Sequence, residues 1–92
     1  MTYKLVFTDQ ALEDLKYWKH SGQKKSLKKI YTIFGELESH PYEGIGHPEP
    51  LRGNLTGKWS RQIDKKNRIV YSVCDDILNV EVITAKGHYG DK

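Results

Sequence analysis

Residues 58–73 of this 92-residue chain, KWSRQIDKKNRIVYSV, decide its fold. Two runs rich in β-branched and aromatic residues, 58–63 and 68–73, flank the polar tetrapeptide 64–67. Strand-forming runs on either side of a short polar segment are typical of a β-hairpin, because the polar residues favour a turn and the others favour extended backbone. The stretch therefore predicts two antiparallel strands joined by a tight turn.

The residues after the hairpin predict one more strand. Asp75 and Asp76 indicate a turn, and apolar residues alternate with polar ones over 77–85, as they do in a half-buried strand. Cys74 lies in the apolar run before that turn and is predicted to be a buried free thiol. It is the only cysteine, so an intrachain disulfide is impossible and a reducing compartment is indicated.

The residues before the hairpin predict a strand and two helices. Residues 3–7 alternate between apolar and polar, and Thr8 or Asp9 can cap a helix that ends near Gly22. Residues 23–39 carry apolar side chains at i, i+3, i+4 and i+7, the spacing of an amphipathic helix. A helix-breaking His-Pro pair follows.

The order strand, helix, helix, long loop and three strands predicts an α+β fold. We expect an antiparallel sheet of four to five strands with the two N-terminal helices packed on one face. Neither a repeat nor a linker interrupts the pattern, so residues 1–92 are predicted to form one domain.

Several classes of protein are excluded by what the sequence lacks. The N-terminus is too short for a signal peptide, and no apolar run approaches the ~20 residues that a membrane span needs. A soluble cytoplasmic protein is therefore predicted. The four histidines lack zinc-ligand spacing, and there is no glycine-rich phosphate loop, so we expect neither a metal nor a cofactor.

A metal-free acid/base site remains. In the long loop 41–57, Glu49 is flanked by two prolines that stiffen its backbone. His88 and Tyr89 follow the last predicted strand. Metal-free RNA cleavage needs a base, an acid and a cation, which Glu, His and Arg side chains supply. Judged by these residues alone, an exposed loop acid is the simpler interpretation of Glu49, and the His-Tyr pair could equally be a clasp that holds the terminus.

The net charge of +3 permits a polyanionic partner without requiring one. Lysines at 24, 25, 28 and 29 are consistent with a solvated helix face. A second basic group interleaves with aromatic residues, a mixture that suits contacts to phosphates and bases together, although a solvated strand face stays open as an alternative. Its members are Lys58, Arg61, Lys65, Lys66 and Arg68, with Trp59 and Tyr71 beside them.

Four sequence blocks resemble the YoeB/Txe toxins of the RelE superfamily. They are PYEGIGHPEPL at 41–51, LTGKWSR at 55–61, RIVY at 68–71 and the closing His88-Tyr89. The similarity covers nearly the whole chain and includes Tyr17-Trp18 in the first predicted helix. It implies the microbial-ribonuclease type of fold, a sheet with two helices on one face.

The resemblance also implies an activity: a ribosome-dependent endoribonuclease that cuts mRNA in the decoding site and stops translation. Matched by motif, Glu49 would be the general base and His88 the general acid, while Arg68 would bind the scissile phosphate and Tyr89 would position the RNA. Attack by the ribose 2′-hydroxyl would leave a 2′,3′-cyclic phosphate and a 5′-hydroxyl.

Further residues are predicted to bind the substrate: Arg52, Lys58, Trp59, Arg61 and Gln62. Arg52 matches a loop position that is often Lys in the family. Gln62 stands where relatives often carry a second arginine, so one phosphate contact is either lost or supplied by Arg61, Lys58 or Lys65.

The partners that the resemblance implies are mRNA on the 70S ribosome and a Phd/YefM-type antitoxin, with DNA bound only through the antitoxin complex. Homodimers occur among relatives, and nothing in this sequence specifies an interface. Two rival interpretations remain at this stage. One is a non-catalytic RNA- or ribosome-binding inhibitor of translation, and the other is a secretory-type ribonuclease active on naked RNA, which the lack of disulfides and of a signal peptide disfavours.

Overall fold

The computed structural model describes residues 2–87. Its regular elements are β1 Lys4–Phe7, α1 Asp9–His20, α2 Lys24–Ser39, β2 Glu49–Pro50, β3 Lys58–Gln62, β4 Arg68–Cys74 and β5 Asn79–Thr84, with a short 3-10 turn at Gly53–Leu55. The predicted hairpin is confirmed as β3 and β4, and both predicted helices lie within two residues of their expected ends.

The five strands form one sheet in the order β1-β5-β4-β3-β2. The α+β class and the two helices are confirmed, but the sheet is mixed rather than wholly antiparallel, because β1 pairs with β5 in parallel. A parallel pair needs a long crossover connection, and here two helices and three strands lie between the paired segments. Alternation of apolar residues predicts a strand but not its direction, so the sequence pattern could not reveal this pairing.

One face of the sheet is covered by both helices. Trp18 of α1 and Ile30, Ile33 and Leu37 of α2 are almost fully buried there, in one cluster with strand residues that include Tyr71. Helix α1 begins where predicted, since the Thr8 hydroxyl accepts a hydrogen bond from the Ala11 amide at 3.0 Å and so caps a free helical N–H.

The other face is free of both described helices, and we call it the open face. Because side chains alternate along a strand, the register assigns residues to it: Glu49 pairs with Ser60, Ser60 with Val70, and Gln62 with Arg68. Leu51 and Val70 are buried but lie outside the helix-side cluster, which agrees with their placement on the open side.

Cys74 is exposed, so the prediction of a buried thiol is wrong. In β4 the helix-facing positions are Ile69, Tyr71 and Val73, and Cys74 therefore points to the open face at the very end of the strand. The last strand also starts later than predicted, at Asn79, because Leu78 adopts a left-handed turn conformation with φ 52°.

Candidate active site on the open face

Glu49 is held on the short edge strand β2. It lies opposite Ser60 of β3, and the Leu51 amide donates a 2.9 Å hydrogen bond to the Lys58 carbonyl. Pro50 has no N–H, which confines such a residue to a sheet edge and keeps the strand short. Glu49 is half-buried and lies in a paired strand, so its backbone is held by the sheet instead of forming a mobile loop tip.

Arg68 is the first residue of β4 and lies on the same face as Glu49. It pairs with Gln62 of β3, two residues along from the strand position that faces Glu49. With strands about 4.8 Å apart and about 3.4 Å per residue, the Cα atoms of Glu49 and Arg68 are roughly 12 Å apart. A ligand lying between them would meet both side chains.

Three of the predicted substrate-binding residues lie near this pair. Lys58 and Gln62 lie on the open face by the strand alternation. Arg52 is exposed and lines, with Glu49, Pro50 and Leu51, a shallow depression of about 260 Å³. The structure thus brings Glu49, Lys58, Gln62 and Arg68 to one face of the sheet, and Arg52 lies beside Glu49 at its edge.

Arg61 is not available to a substrate, which contradicts its predicted role. Its side chain is 0% exposed and points to the helix-covered side, where it forms an ion pair with Glu36 at 2.5 Å. All of its guanidinium nitrogens donate hydrogen bonds inside the protein. An interior arginine looks the same as a phosphate-binding one in a sequence, because both occur among basic and aromatic residues.

Trp59 also lies on the helix-covered side. Its ring packs against the core and against Tyr42, with ring centroids 5.1 Å apart. The structure therefore places the Trp59 ring on the opposite face from Glu49 and Arg68, and a substrate contact for Trp59 stays a prediction. Trp59 is two residues from Arg61 in β3, so their side chains point to the same face of the sheet.

Ser60 is a residue that sequence reasoning missed. It lies between Glu49 and Val70 in the register, it is fully buried, and its hydroxyl finds no hydrogen-bond partner within residues 2–87. A buried unpaired hydroxyl costs about 1–3 kcal/mol. Its position opposite the candidate base Glu49 could have identified Ser60. That position is known only once the register between β2 and β3 is known, and the sequence does not reveal this register.

The end of the described chain is fixed beside Arg68. Ala85 donates its amide to Asp14 at 2.9 Å and accepts a hydrogen bond from the Trp18 indole at 2.7 Å. Gly87 then accepts a 2.8 Å hydrogen bond from the Arg68 amide. His88 and Tyr89, the remaining predicted site residues, lie outside the described residues.

A tyrosine clasp, formed by Tyr3, Tyr42 and Asp75, joins three distant segments at the surface. Both phenols donate to the carboxylate of Asp75, at 2.5 and 2.7 Å. These hydrogen bonds hold the pKa of Asp75 below its ordinary value and raise the pKa of Tyr42 to about 12. The clasp ties the loop that precedes Glu49 to the β4–β5 turn.

A family model described as the YoeB-like toxin of bacterial type II toxin–antitoxin systems matches residues 7–89. The chain belongs to the YoeB toxin family. Its similarity to the toxin YoeB of Mycobacterium bovis is 41% identity over 83 residues, covering 90% of this chain and 94% of the relative.

Solved structures of family members agree with this assignment. The YoeB–YefM complex of Staphylococcus aureus contains a chain that is 38% identical, with a TM-score of 0.79 over 97% of this chain and 100% of that one. A YoeB dimer from the same organism gives a TM-score of 0.82 at the same identity and coverage. The YoeB relationship predicted from the four sequence blocks is therefore confirmed.

No helix within residues 2–87 is long and apolar enough to cross a membrane. In the same part of the chain, no group of three or more His, Cys, Asp or Glu side chains is arranged to hold a metal ion.

Proposed function

We propose that this YoeB-family toxin is a ribosome-dependent endoribonuclease that cleaves mRNA in the decoding site and thereby inhibits translation. The observation that carries the proposal is the placement of Glu49 and Arg68 on the same open face, two strands apart. A carboxylate and a guanidinium so arranged can act on one phosphodiester from two sides.

In this proposal Glu49 is the general base. Its carboxylate removes the proton of the ribose 2′-hydroxyl, whose oxygen attacks the adjacent phosphorus. Arg68 donates hydrogen bonds to the non-bridging phosphate oxygens and stabilises the charge that develops on them. His88 protonates the departing 5′-oxygen, so the products are a 2′,3′-cyclic phosphate and a 5′-hydroxyl.

The remaining residues of the open face would bind the RNA. Lys58 and Arg52 supply positive charge beside Glu49, and Gln62 offers a neutral amide next to Arg68. The buried Ser60 hydroxyl, which lacks a partner within the described chain, supports a role in hydrogen bonding near Glu49. Tyr89 would help to position the RNA, and the fixed position of Gly87 beside Arg68 supports delivery of His88 to this end of the sheet.

The proposal includes the partners of such a system. We expect a Phd/YefM-type antitoxin to neutralise the protein and to recruit DNA only through the toxin–antitoxin complex, as the YoeB–YefM complex of the S. aureus relative suggests. Homodimer formation is proposed by analogy with the dimer of that relative. The proposed location is the cytoplasm, where translating ribosomes are found.

The test is cleavage of a defined mRNA on purified 70S ribosomes, with mapping of the new 5′ ends and analysis of the 3′ termini. We expect codon-phased cuts with cyclic phosphate termini. The Glu49→Gln variant should cleave about 10²–10⁴ times more slowly, since it keeps the shape of the side chain but not the base.

The matched control is Glu13→Gln, which removes a carboxylate of the same type from the exposed surface of α1. It should cleave like wild type. Arrest of translation without cuts would contradict the proposal and favour inhibition by occupancy of the ribosome. Efficient cleavage of naked RNA without ribosomes would contradict the proposed ribosome dependence.

A further inference from the structure

The segment 40–46 precedes the strand that carries Glu49, and the buried guanidinium of Arg61 donates hydrogen bonds to three of its carbonyl oxygens. Arg61 Nη2 donates to the carbonyl oxygens of His40 and Glu43 at 3.1 and 2.8 Å. Arg61 Nη1 donates to the Ile45 carbonyl at 3.3 Å. One side chain therefore fixes three backbone positions of a segment that has no regular structure.

Glu36 completes this arrangement from α2. Its Oε1 atom pairs with Arg61 Nη1 at 2.5 Å and also accepts a 2.9 Å hydrogen bond from the Ile45 amide. Arg61 Nε donates to the Tyr71 hydroxyl at 3.3 Å, and that hydroxyl donates to the Pro41 carbonyl at 2.7 Å. The charge of Arg61 is thus neutralised and every donor direction is used.

Two glycines allow the segment to approach this pair so closely. A Cβ atom on Gly44, at φ 134°, would lie 2.0 Å from Glu36 Oε1 and 2.8 Å from Arg61 Nη1. A Cβ atom on Gly46, at φ 81°, would lie 2.9 Å from the Gln62 carbonyl, while the Gln62 amide donates to the Gly46 carbonyl at 2.6 Å. Side chains at positions 44 and 46 would therefore prevent the segment from packing this closely against Glu36 and β3.

The same strand positions both halves of the candidate site. The chain neighbours of Arg61 face the opposite side of the sheet, where Ser60 pairs with Glu49 and Gln62 pairs with Arg68. Gly46, the last residue of the segment 40–46, is three residues from Glu49. A movement of 40–46 would be transmitted to Glu49 through this short connection, which Pro48 stiffens.

We propose that Arg61 and Glu36, which we call the clamp, are positioning residues. They fix the segment 40–46 and thereby set the place of the Glu49 carboxylate relative to Arg68. This inference rests on the proposed function of Glu49. Displacement of a reacting group by 1 Å can lower a rate by about 10², so loss of the clamp is expected to slow the chemical step without weakening RNA binding.

The test uses Arg61→Lys, which keeps the positive charge but cannot reach three carbonyls in a fixed fork, and Glu36→Gln as a second variant. Single-turnover cleavage on ribosomes should give a maximal rate constant lowered by about 10-fold to 10²-fold and a half-saturating concentration within about twofold of wild type. In the Glu49→Gln background, Arg61→Lys should cause almost no further loss, because effects that act through one group are not additive.

The controls are Ile30→Val and Ile30→Ala, which weaken the packing of α2 against the core without touching Arg61 or Glu36. Together they should span the loss of melting temperature that Arg61→Lys and Glu36→Gln cause. If Arg61→Lys and Glu36→Gln cleave as fast as the Ile30 variant of equal melting temperature, the positioning role is overturned. An equal rate loss in the wild-type and Glu49→Gln backgrounds would also overturn it.

These results separate the two proposals. If wild type cleaves and Glu49→Gln does not, but the clamp variants cleave normally, only the clamp inference fails. If wild type does not cleave, or if Glu49→Gln cleaves normally, the role proposed for Glu49 fails and the clamp inference fails with it.

Discussion

Two arginines on neighbouring strands, Arg61 of β3 and Arg68 of β4, occupy opposite faces of the same sheet. Arg61 is fully buried on the helix-covered face, with Glu36 and backbone carbonyls around its guanidinium. Arg68 is half-buried on the open face, paired in register with Gln62. Both belong to the basic cluster that the sequence shows between positions 58 and 68.

The difference between them follows from the two-residue period of a strand. Arg61 shares its orientation with Ile63 and Trp59, whereas Arg68 shares its orientation with Val70 across the sheet from Glu49. A charge in the interior is retained because a partner and hydrogen bonds compensate its desolvation. A charge on the open face can be used on a ligand. The comparison therefore predicts a stability role for one arginine and a catalytic role for the other.

The largest expected effect is on stability and comes from Arg61→Ala. Removal of one partner of a buried ion pair costs about 3–5 kcal/mol, because Glu36 and several carbonyl oxygens lose their donor. At roughly 4–8 °C per kcal/mol for a domain of this size, the melting temperature should fall by at least about 12 °C, as measured by circular dichroism.

Arg52→Ala is the matched control for this change, because it removes an exposed arginine. Its free energy of unfolding should stay within about 0.5 kcal/mol of wild type. A melting temperature for Arg61→Ala close to that of Arg52→Ala would show that the interior cluster is not a stability element.

The next effect is on catalysis and comes from Arg68→Ala. Loss of one donor to a developing phosphorane charge costs about 10²–10³ in kcat, and the melting temperature should fall much less than in Arg61→Ala. The loss of kcat is measured from the rate of mRNA cleavage on ribosomes. Lys66→Ala removes the same charge from the exposed hairpin turn, and equal rates for Arg68→Ala and Lys66→Ala would remove the proposed distinction between the two arginines.

The smallest effect concerns the tyrosine clasp. The lowered pKa of Asp75 means that its contribution to stability is present above the unfolded-state pKa of about 3.9 and is lost as the pH falls through the lower folded-state pKa. The raised pKa of Tyr42 adds stability that is present below pH 10 and is lost as the pH rises toward about 12.

Melting temperatures measured across both pH ranges test this. Asp75→Asn should flatten both pH dependences, whereas the neighbouring exposed Asp76→Asn should keep them. If the two variants give the same profiles, the clasp has no measurable role. Screening by solvent at this exposed site is the reason we expect the smallest change here.

The sequence predicted the elements of this fold well, because their signals are local. The hairpin follows from two strand-forming runs around a polar turn, and the second helix from the spacing of Leu27, Ile30, Phe34 and Leu37. Glu49 could be singled out because its flanking prolines restrict the same stretch of backbone that carries the carboxylate.

The features that the sequence could not predict depend on contacts between distant residues. Glu36 lies 25 positions from Arg61, and the sequence around neither residue indicates that they form an ion pair. The parallel pairing of β1 with β5 and the register between Glu49 and Ser60 are likewise set by the packing of the whole sheet. The misassignment of Arg61 to the substrate follows from this, because one step of strand register decides the face on which a side chain lies.

The place of β5 between β1 and β4 has a consequence for synthesis of the protein. This strand is made after the other four strands, yet it lies between β1 and β4 and contributes Val80 and Val82 to the core. At about 5–20 residues per second, residue 79 follows residue 4 by roughly 4–15 s, and until then β1 has no neighbour in the sheet. The sheet that carries the candidate site therefore cannot be completed before residue 84 has been translated, because β5 must fill the place between β1 and β4.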